Sequence, residues 1–518
     1  MNGNIPILWA DDEIELLKPQ ILFLESKGYD ITAVTNGFDA LDHIEKSDYD
    51  AIFLDEQMPG MSGLETLASI KEIKPHIPIV LITKSEEENL MDDAIGSKIS
   101  DYLIKPVNPK QIFLTLKKLL DNQRLVSEKS SLDYQKAFRQ LSMELMEVNS
   151  LKAWNDLYQK LVYWELELEN NNDPNIAEIL QQQKKEANKE FAKFIRKNYE
   201  DILDDSLEGN SVMSHNLLEQ KVFPYLQNKE PIFFILIDNL RLDQWKLISP
   251  YINKYLKQEE EDLFCSILPT TTQYSRNAIF SGLMPSDIEK KFPDKWFNDD
   301  EEGGKNQYES DFLESLLKRK LNRPIKWSYH KVFNMDFSKH VNSKLQQLMS
   351  NDLNVIVYNF VDMLSHARTE VEIIKELAND ESAYRKLTTS WFEGSPLFDL
   401  IKSLQGKNAR IIFATDHGTI RVQDPIKVVG DKNTTANLRY KHGKQLQYDP
   451  KEVFDATQPE TLKLPRPNVN SKYIFANNYD YLCYPNNYNR YAKYYRNTFQ
   501  HGGISLEEMI IPFASFKT

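Results

Sequence analysis

Cysteine is nearly missing from this sequence: there are two in 518 residues, Cys265 and Cys483. Two thiols that far apart supply no disulfide framework and no cysteine-based metal site, and they fit a reducing cytosol. Long apolar runs are missing too. The strongest, "PIFFILID", is far shorter than the roughly 20 residues a membrane span needs, so such runs read as buried strands. Excess positive charge is absent, with a net charge of −14. A broad DNA-binding face needs clustered Lys and Arg, so direct DNA binding is not expected, and only a local basic pocket is compatible with this charge. The first residues, "MNGNIPILWADDE", carry no basic region ahead of a long apolar one, so no signal peptide is expected and the location expected is cytoplasmic.

What is present is an ordinary globular balance, 41% hydrophobic and 27% charged residues. At this length two to four domains are expected. Residues 1–122 alternate short apolar runs ("PILWA", "DITAV", "DAIFLD", "IPIVLIT", "DYLIKP") with helical patterns, the last helix running through Leu120. That rhythm predicts a parallel sheet with helices on both faces. Residues 123–210 have no strand signal. Leu157, Leu161, Trp164 and Leu168 recur at helical spacing, as do Ala187, Phe191, Phe194 and Ile195, with "NNNDPN" as a turn between them. The expectation is a small helical bundle, either a spacer or a dimerising, signal-transmitting element. From 211 to 518 the α/β rhythm returns in "PIFFILID", "NVIVYNF" and "ARIIFATD". Each strand ends in or near an Asp, and in open α/β sheets ligands gather at the carboxyl ends of strands. Residues 421–495, rich in Asn, Tyr and Pro, read as a long insertion or lid with little sheet pattern.

Two constellations carry chemistry. In the first, strand ends deliver Asp11, Asp12, Asp55, Thr83 and Lys105, the last followed by Pro106. Hard oxygen ligands of this kind suit Mg²⁺ shared with a phosphate. A carboxylate beside it can become an aspartyl phosphate, which a lysine and a threonine hydroxyl then stabilise. The five in this order resemble the receiver domain of bacterial response regulators, a flavodoxin-like fold. The resemblance implies that Asp55 is the phosphoacceptor and that Asp11 and Asp12 hold Mg²⁺ with the Gln57 carbonyl. It further implies that Thr83 and Tyr102 are the switch pair and Lys105 the phosphate-pairing lysine. The loop "MPGMSG" fits the same family.

The second constellation is Asp238, Asp362 and His366 in "NFVDMLSH", Asp416 and His417 in "FATDHG", and His501 in "QHGG". Asp and His are the mixed ligands zinc accepts, and six of them fill two adjacent sites. Two metals roughly 3.5–4 Å apart clamp the attacking and leaving oxygens of a phosphoryl displacement. They also activate an alcohol, so a threonine becomes a nucleophile without a histidine base. This chain order resembles the alkaline phosphatase superfamily, and "PTTTQYSRNAIFSG" is similar to the nucleophile loop of its nucleotide phosphodiesterases. That alignment makes Thr272 the nucleophile. A one-residue slip would move the role to Thr271, while Thr270 shapes the turn. The resemblance implies one zinc site of Asp238, Thr272, Asp416 and His417, and a second of Asp362, His366 and His501. Two positions depart from many members: Asn239 and Ser365 stand where glycines are common. Arg276 and Lys441 are candidates to pair with a phosphate, and His442 to face a substrate. His43, His76, His215, His330 and His340 carry no ligand pattern.

The last domain resembles the PglZ type of that superfamily. The whole chain resembles the response regulators of the type IX secretion pathway in Bacteroidetes. That resemblance implies a sensor histidine kinase partner, a sigma factor or secretion-system component, and a phosphorylation-linked homodimer. It also implies zinc-dependent phosphodiesterase activity on nucleotides or short cyclic or linear oligonucleotides. A zinc-stabilised module acting by protein contact alone is the alternative. A phosphonate, sulfate or phosphomutase enzyme of the same superfamily would share the metals.

Overall fold

The structure, a computed structural model, describes residues 5–74, 77–84, 99–169, 174–204, 206, 211–299, 301, 303–370, 380–431 and 434–518. The side chains of 121–129, 174 and 366–370 lie outside that description. The chain divides into two compact units, Met1–Asp133 and Tyr134–Thr518. Among the described residues no helix is long and apolar enough to cross a membrane.

In the first unit, β1 (Ile5–Ala10), β2 (Tyr29–Val34), β3 (Ala51–Asp55), β4 (Ile79–Thr83) and β5 (Asp101–Ile104) form one parallel sheet. Its order is β2-β1-β3-β4-β5. A parallel sheet must be covered on both faces, and its strands therefore read as nearly continuous apolar runs. Leu8, Ile52 and Leu54 pack against Ala40 and Ile44 of α2 (Gly37–Lys46) and Leu67 and Ile70 of α3 (Gly63–Ile73). Ile7, Trp9 and Phe53 pack the other way, against Leu24 of α1 (Lys18–Glu25) and Ile112 and Leu116. The order is flavodoxin-like, with its switch point between β1 and β3, where the strand ends open a crevice. A capping box of Ser62 and Glu65 starts α3. A Cβ at Gly63 would meet the Asp55 carbonyl at 2.3 Å, so only glycine lets the helix start against this strand end.

The helix expected to stop at Leu120 does not. It runs as α4 from Pro109 to Glu147, because no Gly or Pro interrupts residues 111–147. In the second unit, α5 (Leu151–Glu167) starts at the Ser150 cap, and α6 (Pro174–Leu203) starts at a proline. The expected turn at 170–173 lies outside the described residues. The helical-spacing residues do face inward: Leu157, Leu161, Leu168, Ala187, Phe191, Phe194 and Ile195 are buried, with Trp154 edge-on to Phe191 at 5.2 Å. They belong to one continuous core running from Tyr134 to Phe516.

That core continues into a six-stranded sheet. It contains β6 (Ile232–Ile237), β7 (Lys257–Cys265), β8 (Trp327–Val332), β9 (Leu353–Tyr358), β10 (Arg410–Ala414) and β18 (Ile510–Lys517), in the order β7-β18-β10-β6-β9-β8. β10, β6, β9 and β8 are parallel, and β18 alone is reversed, pairing antiparallel with both of its neighbours, β10 and β7. The three strands with an Asp at or near the end lie side by side in the middle. Between β10 and β18 lie β11 (Ile420–Arg421), β12 (Asp424–Lys427), β13 (Tyr440–Gly443), β14 (Val453–Ala456), β15 (Lys472–Ala476), β16 (Asp480–Cys483) and β17 (Phe499–Gln500). The 421–495 segment thus has more sheet than expected: β13-β15-β14 form an antiparallel sheet and β12 pairs with β16. Strands of four or five residues are too short to give a clear alternation against the Asn and Pro around them.

Phe191 is fully buried against Trp154 and Phe194. Phe191→Ala is expected to destabilise the second unit by about 3 kcal/mol or more, measured by denaturant unfolding. A loss below about 1 kcal/mol would show that α6 is not part of the folding core.

Candidate functional site

The strand ends of the first unit gather charge. Asp11, Asp12 and Asp55 each offer a carboxylate oxygen within 4.8 Å of the others. Lys105 Nζ lies 2.9 Å from both Asp11 Oδ2 and Asp55 Oδ1. Burial, seconded by Asp11 and Asp12 and opposed by Lys105, pushes the Asp55 carboxyl up to about 6. Burial also works to lower Lys105, but Asp11 and Asp55 outweigh it and hold the ammonium above its ordinary value. Three carboxylates against one lysine leave a mostly buried negative pocket of hard oxygen donors, which fits a divalent cation such as Mg²⁺. The Thr83 hydroxyl donates to Glu56 at 2.5 Å, and Tyr102 is 38% exposed. Gln57 is exposed in the loop after Asp55.

In the second unit, Asp238 follows β6 and Asp416 and His417 follow β10, all fully buried. Their ligand atoms lie within 4.8 Å of one another. His417 Nδ1 lies 3.0 Å from the Gly418 carbonyl, and burial pushes the imidazole below its usual pKa. A neutral ring donating from Nδ1 turns the Nε2 lone pair into the site. Nε2 lies 3.8 Å from both Asp238 Oδ1 and Asp416 Oδ2. Burial raises Asp238, but Arg276 and His417 outweigh it and keep its carboxyl low. Asp416 is pushed well above the usual range by burial and by Asp238.

The "PTTT" loop feeds a single π-turn, Thr272–Arg276, a feature common at functional sites. It separates the three threonines. Thr272 Oγ1 lies 3.4 Å from Asp238 Oδ1 and 3.2 Å from His417 Nε2. Thr270 bonds the Gly503 carbonyl and the Gly502 N–H. Thr271 Oγ1 is buried and makes no hydrogen bond among the described residues. The remaining expected ligands lie beside this group. His501 Nε2 is 3.6 Å from Asp362 Oδ1, and the His501 ring stacks on His417 at 4.3 Å. His366 lies in α7 (Phe360–Glu370), but its side chain falls outside the described residues.

The donor chemistry fits metal ions. Among the described residues Asp416 Oδ2 is buried without a hydrogen-bond donor, and beside it stand a second carboxylate and an imidazole lone pair. A cation is the partner such a set lacks. Asp238, Asp416, His417 and Thr272 would hold one ion, and Asp362 and His501, with His366, a second.

Sequence reasoning missed what links the two groups. Asn239 stands at φ +63°, in the left-handed region that glycine or asparagine adopts. Its N–H donates to Asp416 Oδ1, and its side-chain amide donates to Asp362 Oδ1 and Ser365 Oγ, each at 3.2 Å. The two departures from the glycine pattern thus touch each other. Arg276 does not point out for a phosphate. It is 1% exposed, donating to Asp238 Oδ2 at 2.6 Å and Glu309 Oε1 at 2.5 Å. Glu309, 33 residues past Arg276, had no sequence signal. Lys441 is also buried. It donates to the Thr435 carbonyl, and burial lowers it to about 8. His442 stacks on Tyr473 with Nδ1 3.7 Å from Asp299. Of the histidines without a ligand pattern, His43 bonds Tyr49, and His76 lies outside the described residues.

Three family models match. The response regulator receiver domain matches residues 7–117, the PorX response regulator linker domain 124–203, and the BREX system PglZ alkaline phosphatase-like domain 217–516. Together they make a PorX-like architecture. Among curated proteins, the transcriptional regulatory protein ZraR of Klebsiella oxytoca is 33% identical over 24% of this chain and 28% of its own. ResD of Bacillus subtilis (strain 168) is 34% identical over 22% of this chain and 47% of its own. The chain therefore spans less than half the length of either relative. Among solved structures, a CheY-like receiver domain protein from Methanospirillum hungatei JF-1 is 24% identical, covering 24% of this chain and 98% of its own, with a TM-score of 0.23. A two-component response regulator from Clostridium difficile is 30% identical over 23% and 96%, with a TM-score of 0.22.

Two predictions follow from these contacts. Asn239→Gly loses the bonds to Asp362 and Ser365, and Asn239→Ala loses them and forces a Cβ into the left-handed region. In denaturant unfolding, alanine is expected to be the less stable by about 1 kcal/mol; equal stabilities would remove the backbone argument. In chelator at pH 7, Asp55→Asn removes a carboxylate whose folded pKa lies above the unfolded one, so its ionisation costs stability. The variant is expected to gain on the order of 1–2 kcal/mol, read as slowed hydrogen exchange in β1 and β3. Added Mg²⁺ should stabilise only the wild type.

Proposed function

The chain belongs to the PglZ alkaline phosphatase-like family, with a response regulator receiver ahead of that domain, and from this premise we propose that it is a signalling phosphodiesterase. Phosphorylation on Asp55 regulates a zinc-dependent output domain that hydrolyses nucleotide or short oligonucleotide phosphodiesters. The receiver domain implies a histidine kinase that phosphorylates it. The remaining parts of the proposal are a 1–122, 123–210 and 211–518 domain division, Mg²⁺ on Asp11, Asp12, Asp55 and Gln57, and the switch pair Thr83 and Tyr102. A phosphorylation-linked homodimer, cytoplasmic location, and a sigma factor or secretion-system partner in type IX secretion complete it.

The observation that carries the reading is the Thr272 hydroxyl within 3.4 Å of Asp238 and 3.2 Å of His417 Nε2. In the proposed reaction Thr272 Oγ attacks phosphorus in line, the bond from phosphorus to the leaving oxygen breaks, and the hydroxyl's proton departs with that oxygen as the alcohol. Water then hydrolyses the phosphothreonine ester, restoring the hydroxyl. Bound zinc would supply Lewis acidity and lower the pKa of the hydroxyl. Arg276 fixes the Asp238 carboxylate, Asn239 spans the ligand groups, and the Gly418 carbonyl holds the His417 tautomer.

The test is turnover of a model phosphodiester by zinc-loaded protein, with and without a phosphoryl mimic. Thr272→Ala is expected to lose about 10³-fold or more in kcat, while Thr271→Ala stays within about tenfold. Wild-type turnover no higher than that of Thr272→Ala would overturn the enzyme reading and favour an output domain acting by protein contact. Turnover of phosphonate or sulfate esters alone would change the substrate class.

A further inference from the structure

Away from both pockets, the densest buried charge lies where α5 and α6 meet the sheet domain. Lys184 of α6 sits 2.7 Å from Glu165 of α5 and 3.5 Å from Glu507. Arg385 reaches Glu165 at 2.9 Å and Asp243 at 3.1 Å, and Arg241 pairs with Asp243 and Glu381. Glu165, Asp243 and Glu381 lie close enough to gather a cation, but a lysine and two arginines already fill that role. The cluster is a clamp between layers.

Its uncharged member is Asn188 of α6, which is fully buried. Asn188 Oδ1 accepts the Leu506 N–H at 2.8 Å, and Nδ2 donates to Glu507 Oε2 at 2.9 Å. The short turn it grips, Leu506–Met509, touches both histidine-bearing segments. The Gly418 N–H donates to the Glu508 carbonyl at 3.1 Å. A Cβ at Gly418 would lie 2.0 Å from the Glu507 carbonyl, so the two backbones are in direct contact. The Gly418 carbonyl in turn holds His417 Nδ1. On the other side, the Glu508 carboxylate accepts the Gly503 N–H at 2.9 Å, two residues from His501. His417 and His501 therefore both hang from one turn, and a helix of the middle layer holds that turn.

We propose that Asn188 is a positioning residue for the metal site, making α6 part of the frame that sets His417 against His501. The inference rests on reading Asp238, Asp362, Asp416, His417 and His501 as metal ligands. It gives the helical middle a specific effect on output: displacing α6 at Asn188 moves both imidazoles without touching either.

The experiment is a charge swap on the full chain, read by zinc retention against a chromophoric chelator and by kcat and KM for a model phosphodiester. Asn188→Asp sets two carboxylates against each other beneath the turn, and Glu507→Gln alone leaves Lys184 short of a partner. The double variant N188D/E507Q restores one carboxylate, one amide and the total charge. Either single change is expected to weaken zinc retention about tenfold or more, the usual cost of losing a group that orients a ligand, and to lower kcat with KM unchanged. The double variant is expected to recover to within about threefold. Isosteric Asn188→Leu, which adds no charge, is expected to weaken retention in the same direction. Single variants that hold zinc as tightly as wild type would overturn the proposal, as would a double variant no better than the singles while folded by circular dichroism. If Asn188→Asp does not fold, Asn188→Leu and Glu507→Gln decide on the same readout. Wild type that holds zinc but turns over no phosphodiester would sink the enzyme reading and leave this one standing. Wild type that holds no zinc, manganese or other divalent ion would sink both.

Discussion

Carboxylates placed at the buried carboxyl ends of parallel strands are the constraint around which both halves of this protein are built. A buried carboxylate needs a donor, a counter-ion or a proton. In the receiver, Lys105 meets two of the three and leaves a charge deficit open to the loop side. In the sheet domain, Arg276 meets Asp238, and Asn239 and His417 donate to one oxygen of Asp416. The other oxygen of Asp416 is left facing the site. Both pockets hold a fixed anionic framework whose missing partner is a cation, and in both a parallel sheet supplies the rigidity that keeps like charges together.

The fold was legible where one physical signal dominated. Continuous apolar runs ending in Asp marked β1, β3, β6 and β10, because a strand covered on both faces tolerates little else. β7 was not legible: "KQEEEDLFC" reads as a charged surface segment, yet it pairs along β18, with Lys221 reaching Glu260 and Asp262. The single helix α4 was also hidden, since a change in residue pattern near 122 looked like a boundary although nothing there breaks a helix.

The candidate site divides in the same way. Residues whose chemistry is exceptional, a strand-end Asp or a His beside one, could be picked out. Their supports could not. Asn239 looked like a departure from pattern, and only its φ of +63° and its bonds to Asp416, Asp362 and Ser365 explain why asparagine serves there. Arg276 looked like a phosphate ligand because sequence cannot say which anion a buried arginine faces. Asn188 and Glu507 are more than 300 residues apart, and no local pattern announces that pairing.

The committed state of Arg276 bears on how the proposed site would accept an anion. Around Thr272 stand Asp238, Asp362, Asp416 and Glu309, and against them Arg276 and Lys331, the latter 3.0 Å from Glu309. Even with Asp416 holding the proton that burial and Asp238 favour, these groups leave about one negative charge beside neutral histidines, and its Coulomb repulsion of a phosphodiester is on the order of 1–4 kcal/mol. Repositioning Arg276 cannot reverse that sign, since its removal would strand Asp238 and Glu309 as buried unpaired anions. Two divalent ions would reverse it, turning a pocket that repels phosphate into one that attracts it. In the proposed reading, metal loading therefore governs substrate entry as well as activation of the hydroxyl. Any movement that spreads His417 from His501 and costs metal would then take molecules out of binding and turnover together, lowering the loaded fraction and with it kcat, while the KM of the molecules still loaded stays the same.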